Sequence, residues 1–236
     1  MTFRRTKIVA TLGPASSSPE VLEQLILAGL DVARLNFSHG TPDDHKARAA
    51  LVRELAAKHG RHVALLGDLQ GPKIRIAKFE NKRIELKEGD LFRLSSSHSR
   101  TAGTQEVVGI DYPALIQDCD VGDELLLDDG RVVMRVELKG ADELHCRVII
   151  GGPLSDNKGI NRRGGGLTAP ALTDKDKADI KVAAEMDLDY LAVSFPRDAA
   201  DMDYARRLLT EAGGSAWLVA KIERAEAVAD DEALDG

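Results

Sequence analysis

The first seventy residues alternate short apolar runs with amphipathic segments. The runs KIVATLG, DVARLNFS and HVALLGD have the length and composition of buried strands. Helices are predicted between them, because Ser18 and Thr41 each precede a proline, and Gly29 and Gly60 mark the two ends. Apolar strands that alternate with helices favour a parallel sheet covered by helices. The second helix is expected to bury one stripe of side chains: Ala47, Leu51 and Leu55.

The pattern changes between about residues 71 and 168, where no long helix is predicted. Short segments of alternating polarity take over, such as RIELKEGDLFRL, DELLLDDGRVVMRVEL and ELHCRVII. Asp129 followed by Gly130 is a strong signal for a hairpin turn between two of these strands. We therefore interpret residues 71–168 as an all-β domain inserted after the third strand.

The strand–helix rhythm returns at residue 169. Thr173 and Asp176 form a potential capping box, and strand DYLAVSF, a helix near 198–212 and strand AWLVAKIE follow. The last residues, AEAVADDEALDG, are expected in or just after the next helix. One domain thus comprises residues 1–70 and 169–236, with five predicted strands, and the inserted domain interrupts it.

Polar residues gather at the carboxyl ends of the five apolar strands. These ends carry Thr11, Arg34, Asn36, Ser38, Asp68, Ser194, Lys221 and Glu223. Because side chains alternate along a strand, Arg34, Asn36 and Ser38 are predicted to share one face, opposite Leu35 and Phe37. A single polar strand end is readily explained by a loop hydrogen bond, but five in succession favour a functional site on one rim.

The residue types at this rim are suited to a phosphorylated substrate. Lys73 and Arg75 are two positions apart and are predicted to share one face of the chain. With Arg34 they would place three cations at the rim, as binding of a phosphorylated substrate requires. The alternative is that they form a solvated charged edge. Glu223 is a hard-cation ligand, and Lys221 can stabilise an enolate or a transferring phosphoryl group. A simple ion pair between Lys221 and Glu223 explains their spacing equally well.

Composition limits the other possibilities. The chain has 236 residues, 43% hydrophobic and 30% charged, with a net charge of −7 that gives no general attraction to nucleic acid or anionic membranes. Cys119 and Cys146 lack the spacing of a metal site, which is typical of reduced thiols in a cytoplasmic protein. No signal peptide or membrane span is predicted, and we expect a soluble, cytosolic protein.

Seven segments resemble the pyruvate kinase family in order and spacing: TKIVATLGPAS, ARLNFSHG, GDLQGPKIR, LLLDDG, NKGIN, AVSFPR and AKIE. The resemblance covers essentially the whole chain. It implies an α/β fold, a (β/α)₈ TIM barrel whose inserted all-β domain, the B domain, acts as a lid. The family's Arg-Gly-Asp-Leu-Gly stretch with a second metal carboxylate, strands six to eight and the regulatory domain are missing. We therefore expect a truncated chain with an incomplete barrel.

The resemblance also implies an activity, namely glycolytic transfer of the phosphoryl group of phosphoenolpyruvate to ADP, with Mg²⁺ or Mn²⁺, giving pyruvate and ATP. Family members are typically homotetramers. By motif, Arg34 grips the substrate phosphoryl group, Lys221 stabilises charge at that group and at the enolate, and Glu223 holds the metal. The remaining substrate- or nucleotide-binding positions are Asn36, Phe37, Ser38, His39, Arg75 and Lys158.

The family also suggests how this chain handles a monovalent cation. Many members bind K⁺ through residues matching Asn36, Ser38, Asp68 and the backbone of Leu69. Here Lys73 stands where those members carry glutamate, and its fixed ammonium can replace the charge of K⁺. We therefore expect that K⁺ is not required.

Two other functions remain open from the residues. One is another metal-dependent barrel enzyme that acts on phosphoenolpyruvate or a pyruvate enolate. The other is a non-catalytic fragment that binds phosphate or nucleotide. Formation of ATP from ADP distinguishes both from the kinase.

Overall fold

The structure is a computed structural model that describes residues 5–72 and 74–229. The chain divides into two compact units. One, here called the barrel unit, comprises Met1–Pro72 and Pro170–Gly236, and the other, the inserted unit, comprises Lys73–Ala169.

The first segment of the barrel unit contains three strands and two long helices. Its elements are β1 (Val9–Thr11), a 3₁₀ turn (Pro14–Ser16), α1 (Pro19–Ala28), β2 (Val32–Asn36), α2 (Pro42–Lys58) and β3 (Ala64–Asp68). The predicted caps are confirmed, because the side chains of Ser18 and Thr41 accept bonds from the backbone N–H groups of Val21 and Asp44. Gly29 ends α1 with a φ of 105°, which only glycine adopts freely.

The inserted unit is built from short strands. They are β4 (Arg83–Leu86), β5 (Leu91–Ser95), β6 (Val107–Gly109), β7 (Glu124–Leu127), β8 (Val132–Lys139), β9 (Glu143–Ile150), β10 (Gly152–Ser155) and β11 (Ile160–Arg162). Six of them form a sheet in the order β11-β7-β8-β9-β5-β6, and β10 pairs with β4. The hairpin predicted at Asp129–Gly130 joins β7 to β8. The unit also contains one four-residue helix, α3 (Leu115–Asp118), which the strand pattern does not predict.

The second segment of the barrel unit completes its sheet. Its elements are α4 (Asp174–Glu185), β12 (Tyr190–Ser194), α5 (Ala199–Glu211), β13 (Trp217–Lys221) and α6 (Ala225–Ala229). The five strands are parallel and lie in the order β1-β2-β3-β12-β13. This sheet with its helices is the predicted α/β architecture, an incomplete (β/α)₈ barrel. Each unit has its own apolar core.

The buried face of α2 differs from the predicted stripe. The helix buries His45, Ala49, Val52, Leu55 and Ala56, which follow the helical repeat, whereas Ala47 is exposed and Leu51 is only half-buried. The stripe begins with a histidine, and a search for apolar positions therefore passes over its first member.

Candidate active site at the strand ends

The polar side chains at the strand ends of the barrel unit form one continuous hydrogen-bonded row. Arg34 donates from Nη1 to Thr11 Oγ1 at 2.6 Å, and from Nε to Asp68 Oδ2 at 2.8 Å. Lys221 Nζ lies 2.9 Å from Ser194 Oγ and 3.3 Å from Asp68 Oδ1. The row follows the order of the strands, β1, β2, β3, β12 and β13. Of the side chains predicted at this rim, the structure brings together those of Thr11, Arg34, Asp68, Ser194 and Lys221.

The strand register explains why these groups meet. Asn36 pairs with Asp68 across β2 and β3, and Ser194 pairs with Lys221 across β12 and β13. Thr11 pairs with Arg34 and Asp68 with Ala192, so the carboxyl ends of neighbouring strands lie within two residues of each other. Burial alternates along β2, with Leu35 buried and its neighbours Arg34 and Asn36 partly exposed. The alternation predicted for this strand is confirmed.

Asp68 is the centre of the row. Its side chain is only 5% exposed, and it accepts bonds from one cation on each side, Arg34 and Lys221. A carboxylate removed from water requires such partners, and it in turn holds both cations in fixed positions. Ser194 supports the arrangement, because its hydroxyl donates to the backbone carbonyl of Leu69 at 2.7 Å.

Glu223 lies two residues beyond β13. Its Oε1 is 3.4 Å from Lys221 Nζ, so the alternative ion pair is present, and its Oε2 accepts from the N–H of Phe195 at 3.2 Å. Ile222 between them is 40% exposed. The carboxylate remains partly exposed and offers the hard oxygen donors that Mg²⁺ prefers. Among residues 5–72 and 74–229, no group of three or more acidic, histidine or cysteine side chains is arranged as a metal site.

The segment after β2 folds into a tight turn. Asn36 Oδ1 accepts from the N–H of Ser38 at 3.0 Å, and the Asn36 carbonyl accepts from the N–H of His39 at 3.2 Å. His39 is exposed at this turn. The ring of Phe37 is buried and lies 4.7 Å from the ring of His45, centroid to centroid. The Phe37 side chain therefore belongs to the core, and its backbone N–H donates to the carbonyl of Asp68 at 3.0 Å.

The other predicted cations are Lys73, Arg75 and Lys158. Lys73 falls outside the described residues. Arg75 and Lys158 belong to the inserted unit, where Arg75 pairs with Gly159 in an isolated bridge and donates to the Asn157 carbonyl at 3.1 Å. Lys158 forms an ion pair with Asp128 at 2.8 Å. Within their own unit, Arg75 and Lys158 are brought close together.

Comparison with known proteins identifies the family. The family model described as the pyruvate kinase barrel domain matches residues 3–235. The chain belongs to the pyruvate kinase family. It is 58% identical over 234 residues to pyruvate kinase II of Salmonella typhimurium and 56% identical over 233 residues to pyruvate kinase of Haemophilus influenzae. Each alignment covers 99% of this chain but only 48% and 49% of the relative. The chain thus spans about half the length of the curated relatives it matches.

Family membership agrees with the observed topology, since a pyruvate kinase barrel domain requires the parallel sheet seen here. A third relative, pyruvate kinase of Buchnera aphidicola (subspecies Schizaphis graminum), is 55% identical over 232 residues, covering 98% of this chain and 48% of its own. In the part of the chain that the structure describes, no helix has the length and apolar character needed to cross a bilayer.

One pair of side chains near this row was not predicted from the sequence. Lys175 donates to the carbonyl of Phe37 at 2.7 Å and lies 2.5 Å from Asp179 Oδ2. Their spacing of four residues on a helix was visible in the sequence. The contact with Phe37 was not, because it joins residues 138 positions apart.

Proposed function

We propose that the protein containing this chain is a cytoplasmic, glycolytic pyruvate kinase that transfers the phosphoryl group of phosphoenolpyruvate to ADP. The observation that carries the proposal is the row in which Asp68 holds Arg34 and Lys221 at the strand ends of a pyruvate kinase barrel. Relatives named pyruvate kinase at 58% and 56% identity support it. By analogy with the family, the assembled protein is a homotetramer.

Charge neutralisation and alignment are the main tasks in phosphoryl transfer. Arg34 is proposed to bind the phosphoryl group of phosphoenolpyruvate, and Lys221 to stabilise charge on that group and on the enolate oxygen. Asp68 keeps the two cations in place before substrate binds, so little reorganisation is needed during the reaction. After transfer, the enolate is protonated to give pyruvate.

Glu223 is proposed to hold Mg²⁺ or Mn²⁺. Its partly exposed carboxylate fits a hard divalent cation, and the N–H of Phe195 orients one of its oxygens. When bound, such a cation neutralises negative charge on the phosphoryl oxygens.

On the nucleotide side, we assign binding of ADP and its phosphates to Asn36, Ser38 and His39. Phe37 contributes by holding this segment in place, because its N–H donates to the carbonyl of Asp68. Arg75 and Lys158 of the inserted domain are proposed to bind the same phosphates. Residues 71–168 then act as the lid that excludes water from the reaction, and residues 1–70 and 169–236 as the barrel domain.

Catalysis is proposed to be independent of K⁺. Lys73 supplies the positive charge in place of the glutamate found in K⁺-dependent members. Two of the positions that bind K⁺ in those members already have partners in this chain. The carboxylate of Asp68 accepts from Arg34 and Lys221, and the Leu69 carbonyl accepts from Ser194.

The test is ATP formation from phosphoenolpyruvate and ADP by the full-length natural protein with Mg²⁺, in KCl and in tetramethylammonium chloride. Turnover that is equal in both salts is expected. Lys221→Met should lower kcat by at least about 100-fold, whereas Lys58→Met, which removes a surface ion pair with Glu23, should not. Absence of ATP formation by the folded protein would refute the proposal that it is a pyruvate kinase. Saturable activation by K⁺ would refute only the role of Lys73.

A further inference from the structure

The first turn of α4 is tied to two of the segments that leave the strand ends. Lys175 donates from Nζ to the carbonyl of Phe37, which follows β2, at 2.7 Å. Asp176 accepts from the N–H of Gly71, which follows β3, at 3.0 Å. Asp176 is fully buried and also closes the capping box with Thr173, so the start of the helix is itself firmly placed.

Lys175 is held in position by Asp179, one helical turn further on. The two side chains are 2.5 Å apart, and that of Asp179 is only 10% exposed. Burial raises the pKa of Asp179, while the bond from Lys175 acts in the opposite direction. Because the side chain of Lys175 is 47% exposed, the ion pair by itself contributes little to stability. Lys175 therefore matters for the position of the carbonyl that it binds and not for stability.

The contact fixes one particular peptide plane. The carbonyl of Phe37 and the N–H of Ser38 belong to the same planar peptide group. Lys175 binds the carbonyl, and Asn36 Oδ1 binds the N–H at 3.0 Å, so the plane is held at both edges. On the other side of Phe37, its own N–H donates to the carbonyl of Asp68 at 3.0 Å. The direction in which Ser38 and His39 leave this plane is thereby set.

We propose that Lys175 is a positioning residue for the nucleotide side of the active site, acting through the Phe37–Ser38 peptide plane. The inference rests on the proposed function, which assigns Ser38 and His39 to ADP. It predicts an effect on ADP and not on phosphoenolpyruvate, because Arg34 is held by Thr11 and Asp68, without any bond to Lys175 among the contacts of the described residues.

The test compares Lys175→Met with Lys177→Met in the full-length natural protein. Methionine keeps the apolar stem and removes the ammonium. Lys177 lies on the same helix and pairs with Asp174 at 3.1 Å, which makes it a matched control. For Lys175→Met, KM for ADP should rise about tenfold and KM for phosphoenolpyruvate should stay within about twofold. Lys175→Arg retains a charged donor and should recover most of the loss.

Hydrogen exchange of the Ser38 amide provides a second readout that does not need turnover. Faster exchange is expected in Lys175→Met and not in Lys177→Met. An unchanged KM for ADP, or equal increases for both substrates, would overturn the positioning role while leaving the kinase intact. If the wild-type protein makes no ATP, the kinase proposal fails. Unchanged exchange of the Ser38 amide in Lys175→Met would then show that Lys175 does not fix the Phe37–Ser38 peptide plane.

Discussion

Two guanidinium nitrogens of Arg34, Nε and Nη2, donate to the same oxygen of Asp68, Oδ2, across neighbouring strands. The other oxygen, Oδ1, lies 3.3 Å from Lys221 Nζ. One buried carboxylate therefore orients two cations that come from different strands. This arrangement places two cations side by side at the strand ends of a chain whose net charge is −7.

Replacing Asp68 should affect both stability and activity. Asp68→Asn removes the charge that lies between Arg34 and Lys221 and leaves only Glu223 beside Lys221, so the two cations repel each other. Because both cations are partly exposed, we expect the free energy of unfolding to fall by about 2 kcal/mol and kcat to fall at least about 100-fold. Urea unfolding and the ATP-formation assay measure these effects. The control is Asp174→Asn at an exposed pair, which should change stability by less than about 0.5 kcal/mol.

Gly71 should resist substitution for two separate reasons. Its φ is +64°, and an added Cβ would lie 2.9 Å from the Ser194 Cβ and 2.9 Å from a ring carbon of Phe195. Gly60 has a similar φ of +59°, but nothing lies within 4 Å of an added Cβ. Gly60→Ala should therefore cost about 1 kcal/mol in unfolding free energy, and Gly71→Ala about 2–4 kcal/mol.

Only Gly71→Ala should also lower kcat, because the clash displaces Ser194 and hence Lys221. Thermal unfolding and steady-state kinetics of the two variants separate backbone strain from the clash. Equal losses of unfolding free energy in both variants would show that the clash with Ser194 and Phe195 does not lower stability.

His45 should make the protein less stable in acid. Its side chain is buried, and among the described residues neither ring nitrogen has a hydrogen-bond partner. Burial lowers the pKa of His45 below its usual 6.5; Arg48 adds to this shift, and the backbone of His39 and the carboxylates of Asp179 and Asp44 oppose it. As the pH falls below about 6.5, the unfolded chain binds a proton here that the folded chain does not, so stability decreases.

His45→Leu removes this difference in proton binding. The slope of unfolding free energy against pH between about 6.5 and 5 should become shallower, by at most about 1.4 kcal/mol per pH unit. Urea unfolding at several pH values measures the slope. His62→Gln, at an exposed position, is the control and should leave the slope unchanged. Parallel slopes for His45→Leu and the wild type would contradict the prediction.

The two thiols should be inert in the folded protein. Cys119 and Cys146 are both fully buried, and burial raises the pKa of Cys119 to about 11 and that of Cys146 to about 12. Since the thiolate is the reactive form, iodoacetamide at pH 8 should leave both unmodified, as read by mass spectrometry of the peptides. The same treatment in guanidinium chloride should alkylate both. Rapid modification of either cysteine in the folded protein would show that the segment around it, the end of α3 or strand β9, opens to solvent.

The sequence by itself determined the order of the main strands and helices of the barrel unit, the helix caps and the alternation along β2. These features depend on groups within a few residues of each other, such as Thr173 with Asp176. The local sequence is therefore sufficient to predict them. The residues of the strand-end row were predicted for the same reason, because the carboxyl ends of parallel strands share one rim. Of the buried face of α2 only Leu55 was predicted, because the face begins with a polar residue, His45.

Only the tertiary structure decided which of these residues bond to each other. Lys221 reaches Asp68 across 153 positions of sequence, and Lys175 reaches Phe37 across 138. The inserted unit separates β3 from β12 in the chain, yet the two strands are neighbours in the sheet. Hydrophobic periodicity specifies which face of a strand is buried, but the partner of a polar group depends on strand order and register. Those are fixed by the packing of the whole sheet against its helices.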